Sequence, residues 1–192
     1  MGYSIRNLEC PRCGSHSRHR ALFLWLRDQY QIAGKSGRAL IFAPERSLAP
    51  LWESAKGLRT FKIDIEQARN VDVLADIMNL PFDDEVADLI WCHHVLEQVM
   101  DDHRAMSELL RLLKPKTGQL ILSAGMSGLS GTREFGRSDK GLSGNRRSYG
   151  TDIAARLTQT GFTVRQLEYG LTEHLMAKYA IANDPFYVCI KD

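Results

Sequence analysis

The sequence predicts an α/β fold, an open and mostly parallel seven-stranded sheet with helices on both faces and an antiparallel last strand. Three observations predict it. Short apolar runs alternate with segments of helical period through most of the chain, the order that parallel βαβ units produce. Seven such runs can be counted, two of them ending at an acidic residue. The last two fall late and close together, the natural place for antiparallel pairing.

The elements follow in order. Arg18 to Tyr30 carries Leu22, Trp25, Leu26 and Tyr30 at helical spacing, and Gly34 and Gly37 end it. Arg38–Ala43 reads as a short buried strand. Glu45 to Ala55 reads as a helix with Leu48, Leu51, Trp52 and Ala55 on one face and Pro50 near its first turn. Leu58–Asp64 alternates like a strand, Val71–Asp76 is a third strand, and the turn-rich Asn79–Asp84 leads into a fourth, Val86–Cys92. Asp102 to Leu113 is the clearest helix, with Met106, Leu109, Leu110 and Leu113 at i, i+3, i+4 and i+7 and Pro115 as its stop. Gly118–Ala124 is a fifth strand. Gly125–Gly150 lacks periodicity and is rich in Gly, Ser and Arg, so a long mobile loop is expected there. A helix from Thr151 to Thr160 with Thr151 as N-cap, strands Phe162–Tyr169 and Phe186–Ile190, and a helix Thr172–Ile181 between them complete the chain.

Bulk properties narrow the class. The 192 residues fit one ordinary domain, which buries roughly 70% of its unfolded surface without disulfide staples. Residues 1–37 form an N-terminal Cys-pair segment and helix packed on the core formed by 38–192, one unit overall. A net charge of +2 is too small to imply nucleic acid as a partner of the whole surface. No apolar run approaches the ~20 residues of a membrane span, and Met1–Arg6 lacks the apolar core of a secretory signal. A cytoplasmic location is therefore expected. Cys92 and Cys189 sit in apolar runs and read as buried thiols.

In open α/β sheets the ligand sits outside the carboxyl ends of the strands, at the switch in strand order. The residues at issue are Ala43-Pro44-Glu45, Asp64, Asp76-Ile77 and Cys92-His93-His94. Asp64 lies 21 positions past Ala43, the offset of about 20 at which a carboxylate meets a ribose diol. No Gly-x-Gly-x-x-Gly follows Phe42, although a pyrophosphate needs those glycines to approach the backbone closely. A nucleoside ligand without phosphates escapes that demand, and a dinucleotide-dependent dehydrogenase is disfavoured.

Three stretches taken together, Asp76-Ile-Met-Asn-Leu-Pro-Phe-Asp-Asp84, Ala87 to Val99, and Glu108 to Pro115 with Gly118, resemble the class I S-adenosylmethionine (SAM)-dependent methyltransferases. The likeness is to their small-molecule branch, which includes quinone-biosynthesis enzymes. Cys10-Pro-Arg-Cys-Gly-Ser15, Arg18-His-Arg20 and Ala43-Pro-Glu45 are similar to a subgroup of it. The resemblance implies a Rossmann-like methyltransferase domain over 38–192 and SAM as cofactor. Ala43, Pro44 and Glu45 would line its methionine end, Asp64 would bind the ribose, and Asp76 and Ile77 would hold the adenine. His93 and His94 would border the methyl path and supply any base. Two departures stand out: the Gly-rich first loop is absent, and Gln98 stands where the family often has His.

The acceptor is expected to be small and anionic. The loop carries Arg133, Arg137, Lys140, Arg146 and Arg147 against Glu134 and Asp139, and forked guanidinium contacts suit a carboxylate or phosphate. Arg146, Arg147 and Tyr149 are the candidate substrate residues. Cys10 and Cys13 make half a zinc site. Cys10, Cys13, His16 and His19 could form a local four-ligand set, but no resident metal is expected. The alternatives are a nucleic-acid-binding protein using Arg6, Arg12, Arg18 and Arg20, or a scaffold on a degenerate SAM-binding fold.

Overall fold

The computed structural model describes residues 9–68, 70–139, 144–181 and 185–192. Arg6 and Lys140, singled out above, lie outside the described residues. A seven-stranded sheet runs in the order β3-β2-β1-β4-β5-β9-β8. Its strands are β1 (Ser36–Phe42), β2 (Gly57–Asp64), β3 (Val73–Leu74), β4 (Leu89–His93), β5 (Gln119–Ser123), β8 (Phe162–Leu167) and β9 (Phe186–Lys191). The pairings β1·β4, β2·β3 and β4·β5 are parallel, whereas β9 runs antiparallel to both β5 and β8. The antiparallel strand is thus threaded between two others, and the edge strands are β8 and β3. No helix among the described residues is long and apolar enough to cross a membrane.

Two sets of segments make up the chain. One comprises residues 37–44, 59–167 and 186–192, the other 1–36, 45–58 and 168–185. The first contains the principal core. Leu40 and Phe42 of β1, Ile90 and Cys92 of β4, and Leu120 and Leu122 of β5 are at most 2% exposed; residues two apart share a face, so they line one buried face of the sheet. Against them pack α3 (Asp102–Leu112) through Ala105, Met106, Leu109 and Leu112, and α4 (Ile153–Thr160) through Ile153 and Leu157. Truncating a residue such as Leu109 would cost about 2–5 kcal/mol, because the rigid surroundings leave a cavity. Asp101 caps α3 by accepting the Arg104 N–H at 3.0 Å. Gly161, at φ 115°, ends α4 with its N–H on carbonyls of the last turn, a backbone shape that strains a residue with a Cβ.

The second set holds α1 (Ser17–Leu24), which runs on into a π-helical turn, Trp25–Gln29, and two 3₁₀ turns, Ile32–Gly34 and Arg46–Leu48. It also contains α2 (Ala49–Ser54) and α5 (Glu173–Tyr179). Pro50 stands in the first turn of α2, where its missing N–H is harmless. The Arg20 guanidinium ties the set together by donating to the carbonyls of Ser15, Tyr179 and Ala180 at 2.5–2.9 Å.

The expected loop over 125–150 is corrected by the structure. Within that range β6 (Arg133–Asp139) pairs antiparallel with β7 (Asn145–Ser148), and 140–143 lie outside the described residues. The side chains of this pair give no apolar alternation because backbone hydrogen bonds and polar anchors hold it.

Candidate active site

One cavity of about 430 Å³ lies where the parallel strands end, within the 300–1,000 Å³ range of small-molecule sites. Its lining takes Phe42 from the end of β1 and Ala43 just past it, Ile63 and Asp64 from the end of β2 and Ile65 just past it, and Ala75 to Met78 from beyond β3. His94, Val95, Gln98, Val99 and Met100 follow β4, and Arg146 comes from β7. The position is dictated by topology. Strand order reverses between β1 and β4, and the connections leaving those strands part there, opening a crevice.

Of the residues singled out for the cofactor, Ala43, Asp64, Asp76, Ile77 and His94 share this cavity. Asp64 uses Oδ1 to accept the Glu66 N–H at 3.1 Å, and Asp76 uses Oδ1 for the Met78 N–H at 2.8 Å. Each turn is thereby fixed while the second carboxylate oxygen stays available to a hydroxyl or an amine. Ala43 has φ 46° and His94 φ 53°, left-handed values that cost a non-glycine residue roughly 1–2 kcal/mol. Such strain gathers at functional sites.

Pro44 and His93 are not among the lining residues. The Pro44 carbonyl accepts from Asn70 at 3.3 Å, and His93 is 3% exposed, its ring 5.6 Å from that of Trp91. Glu45 belongs to the other set of segments, where its carboxylate stands 3.8 Å from His19 Nε2. His19 Nδ1 in turn accepts the His16 N–H at 3.2 Å, while Cys13 donates to Ser15 Oγ at 3.3 Å. Both cysteines of the pair are free thiols.

The candidate substrate residues separate. Arg146 lines the cavity, and among the described residues no carboxylate lies within ion-pair distance of it. Arg147 and Tyr149 do not form an acceptor wall, because both are buried. Successive residues of a strand point to opposite faces, so one arginine of the pair reaches the cavity and the other the interior. Arg147 donates to the carbonyls of Leu96, Val99 and Met100 at 2.7–3.1 Å and to Glu134 at 2.9 Å. Tyr149 Oη donates to Asp102 at 2.7 Å, and Arg156 donates to the same carboxylate at 2.6 and 2.8 Å. Burial raises the Tyr149 phenol far above its usual range, helped by the Asp102 charge. Asp102 moves the other way: burial opposes ionisation, but Arg156, Tyr149 and Arg147 outweigh it and hold the carboxyl below its usual range.

Glu97 is a residue that pattern reading missed. It is 1% exposed, and its Oε1 lies 2.9 Å from His94 Nδ1 and also accepts the Gly125 N–H. Burial pushes its carboxyl up, yet the bond and charge of His94 and the Gly125 N–H prevail and hold it below the usual range. A Cβ on Gly125 would come within 3.2 Å of Oε1, tighter than an ordinary contact, so glycine eases this approach of the backbone. The one signal in the sequence was the i, i+3 spacing of His94 and Glu97.

Residues 51–122 match the model of a methyltransferase-domain family, Methyltransf_11. The stretch runs from α2 to β5 and includes Asp64, Asp76, Ile77, His94 and Glu97. No curated protein matches the chain. Among solved structures, the PH0226 protein of Pyrococcus horikoshii is 16% identical over 98% of this chain and 97% of its own, with a TM-score of 0.62. An S-adenosylmethionine-dependent methyltransferase of Mesorhizobium loti is 15% identical over 88% and 96%, also at 0.62. The [4+2]-cyclase SpnF is 19% identical over 91% and 80%, at 0.60. These likenesses show the Rossmann-like methyltransferase fold.

Proposed function

We propose that this SAM-dependent methyltransferase moves its methyl group to a small, anionic acceptor with an apolar body, bound beside the cofactor in the 430 Å³ cavity. The carrying observation is that one cavity at the switch in strand order gathers Asp64, Asp76, Ile77, His94 and Arg146. The residues fit SAM. A carboxylate at the end of β2 suits a ribose diol, and a second carboxylate beside Ile77 and Met78 suits an adenine amine and ring face. Nothing in the lining demands a phosphate.

The bound sulfonium supplies an electrophilic methyl and its own leaving group. The task left to the protein is to orient the acceptor and exclude water, which alone can provide effective molarities of roughly 10⁵ M or more. Ile65 and Met100, both lining the cavity and both well exposed, suit an apolar body, and Arg146 suits an acidic group on it.

The test is calorimetry with SAM. Asp64→Ala should weaken binding by about 1.5–3 kcal/mol, because a hydroxyl loses a charge-assisted partner. Parental affinity in that variant would remove the ribose assignment. Arg146→Ala should keep SAM affinity within about threefold while impairing turnover of an anionic acceptor, since one guanidinium contact is worth on the order of 1–3 kcal/mol.

A further inference from the structure

We infer that Glu97 is a positioning residue that holds His94 as the base for an acceptor hydroxyl, so that the acceptor atom is one that gives up a proton as it is methylated. The reaction in this inference rests on the methyltransferase reading; the geometry of the pair does not.

His94 follows β4 directly, and its backbone N–H donates to the Ser123 carbonyl at 2.9 Å. Its ring borders the cavity. Nδ1 faces a carboxylate, which only accepts hydrogen bonds, so Nδ1 must carry the proton in the neutral ring and Nε2 must keep the lone pair. The tautomer is thus set by a residue that does not itself line the cavity.

Glu97 is fixed from three sides. Gly125 donates to Oε1, and the N–H groups of Arg146 and Arg147 donate to the Glu97 carbonyl at 2.7 and 3.2 Å. Oε2 accepts no hydrogen bond among the described residues. His94 is therefore the one side chain among them that is bonded to this buried carboxylate, and an imidazolium formed there would be stabilised at short range.

The step balances simply. The acceptor O–H bond breaks, its electron pair stays on oxygen, and a new N–H bond forms at Nε2. The proton later leaves to solvent through the cavity mouth. A thioether or tertiary amine has no proton to give and would leave the pair without a role. A base held at hydrogen-bond reach suits a hydroxyl of phenol-like or enol-like acidity.

The charged and titratable groups around His94 are Glu97 on its own segment, His93 from β4 with ring centroids 4.6 Å apart, and Arg146 from β7. Asp64 and Asp76 line the same cavity. Removing Glu97 isolates its share of the field at the ring.

The experiment is nitrogen NMR of the full chain labelled with ¹⁵N-histidine. His94 is assigned by the signal lost in His94→Asn, and the titration runs from about pH 5 to 9 without ligand. The parent should show neutral His94 protonated on Nδ1. Glu97→Gln, which keeps an oxygen for Gly125, should lower the midpoint by about one unit or more and let the Nε2–H form appear. An Nε2–H ring in the parent, or a midpoint unmoved in Glu97→Gln, overturns the inference. If Glu97→Gln does not fold, the tautomer of the parent decides alone. Calorimetry with the demethylated product of SAM separates the two readings. A parent that fails to bind it loses the methyltransferase reading, and with it the acceptor step, whereas Glu97→Gln should bind within about threefold of the parent.

Discussion

Two buried carboxylates stand within a few residues of each other in sequence, and their surroundings are built to opposite ends. Asp102, at the start of α3, is held by Arg156, Tyr149 and Arg147, and its cationic partners never titrate in the accessible range. Glu97 is held by one backbone N–H and a histidine, with one oxygen left without a protein partner among the described residues. The first arrangement is saturated and static, a tie between α3, α4 and the β6–β7 pair. The second borders the cavity through His94 and is joined there by left-handed residues, Ala43 and His94. Burial alone does not distinguish a structural carboxylate from a functional one; the chemistry of the partner does.

The largest effect should come from cutting the static tie. Asp102→Asn leaves Arg147 and Arg156 without their carboxylate and should cost about 3–5 kcal/mol in urea unfolding at pH 7. A loss below about 1 kcal/mol would mean that the network is not a tie at all. Acid provides the companion measurement. Because the folded-state pKa of Asp102 is depressed, its stabilisation is present above the ordinary carboxyl value near 4 and is lost as pH falls through the lower folded value. The gap between parent and Asp102→Asn should therefore shrink below about pH 4, and a constant gap down to pH 2 would contradict the assignment.

Next in size is the contrast between two adjacent arginines. Arg147→Ala strands the carbonyls of Leu96, Val99 and Met100 and should destabilise by about 2–4 kcal/mol. Arg146→Ala should stay within about 0.5 kcal/mol of the parent. Equal losses would erase the division of labour within β7. The smallest effect is expected at Ala43. Replacing it with glycine relieves its left-handed strain but adds chain entropy to the unfolded state, a net gain of about 0.5 kcal/mol. An Ala43→Gly variant with a lowered urea midpoint would show that the residue carries no strain worth relieving.

The sheet was legible because its strands are contiguous apolar runs that only a two-sided interior explains, as Leu89–His93 and Gln119–Ser123 illustrate. Placement of Asp64, Asp76 and His94 at one cavity followed from topology alone, since parallel strands bring their carboxyl ends to one edge. The β6–β7 pair was illegible. Its strands offer Arg, Glu, Asn and Ser, and its anchor is an arginine whose burial depends on carbonyls some fifty positions earlier. Reading Arg147 as a surface charge followed from residue type, and type is a poor guide where a guanidinium can satisfy all its donors inside. Glu97 escaped for the same reason, because nothing local says that a glutamate among Leu96, Gln98 and Val99 is buried. The π-helical turn at Trp25–Gln29 was equally hidden, since its apolar spacing reads as ordinary helix.

The position of β9 has a consequence for how the chain acquires its sheet. β5 and β8 are both made before β9 in chain order; β5 has β4 on one side, but its other side and the whole of β8 wait for Phe186–Lys191 to come between them. Until then one side of β5 and the strand β8 carry unpaired backbone groups, each a template for another molecule. Closure is a late, long-range event of the kind that slows folding. The strand that does it is almost wholly interior, with Phe186, Tyr187 and Cys189 at most 1% exposed. A nascent chain released or cut short of Phe186 would therefore have two open strand edges at once, and self-association would compete with folding from that moment.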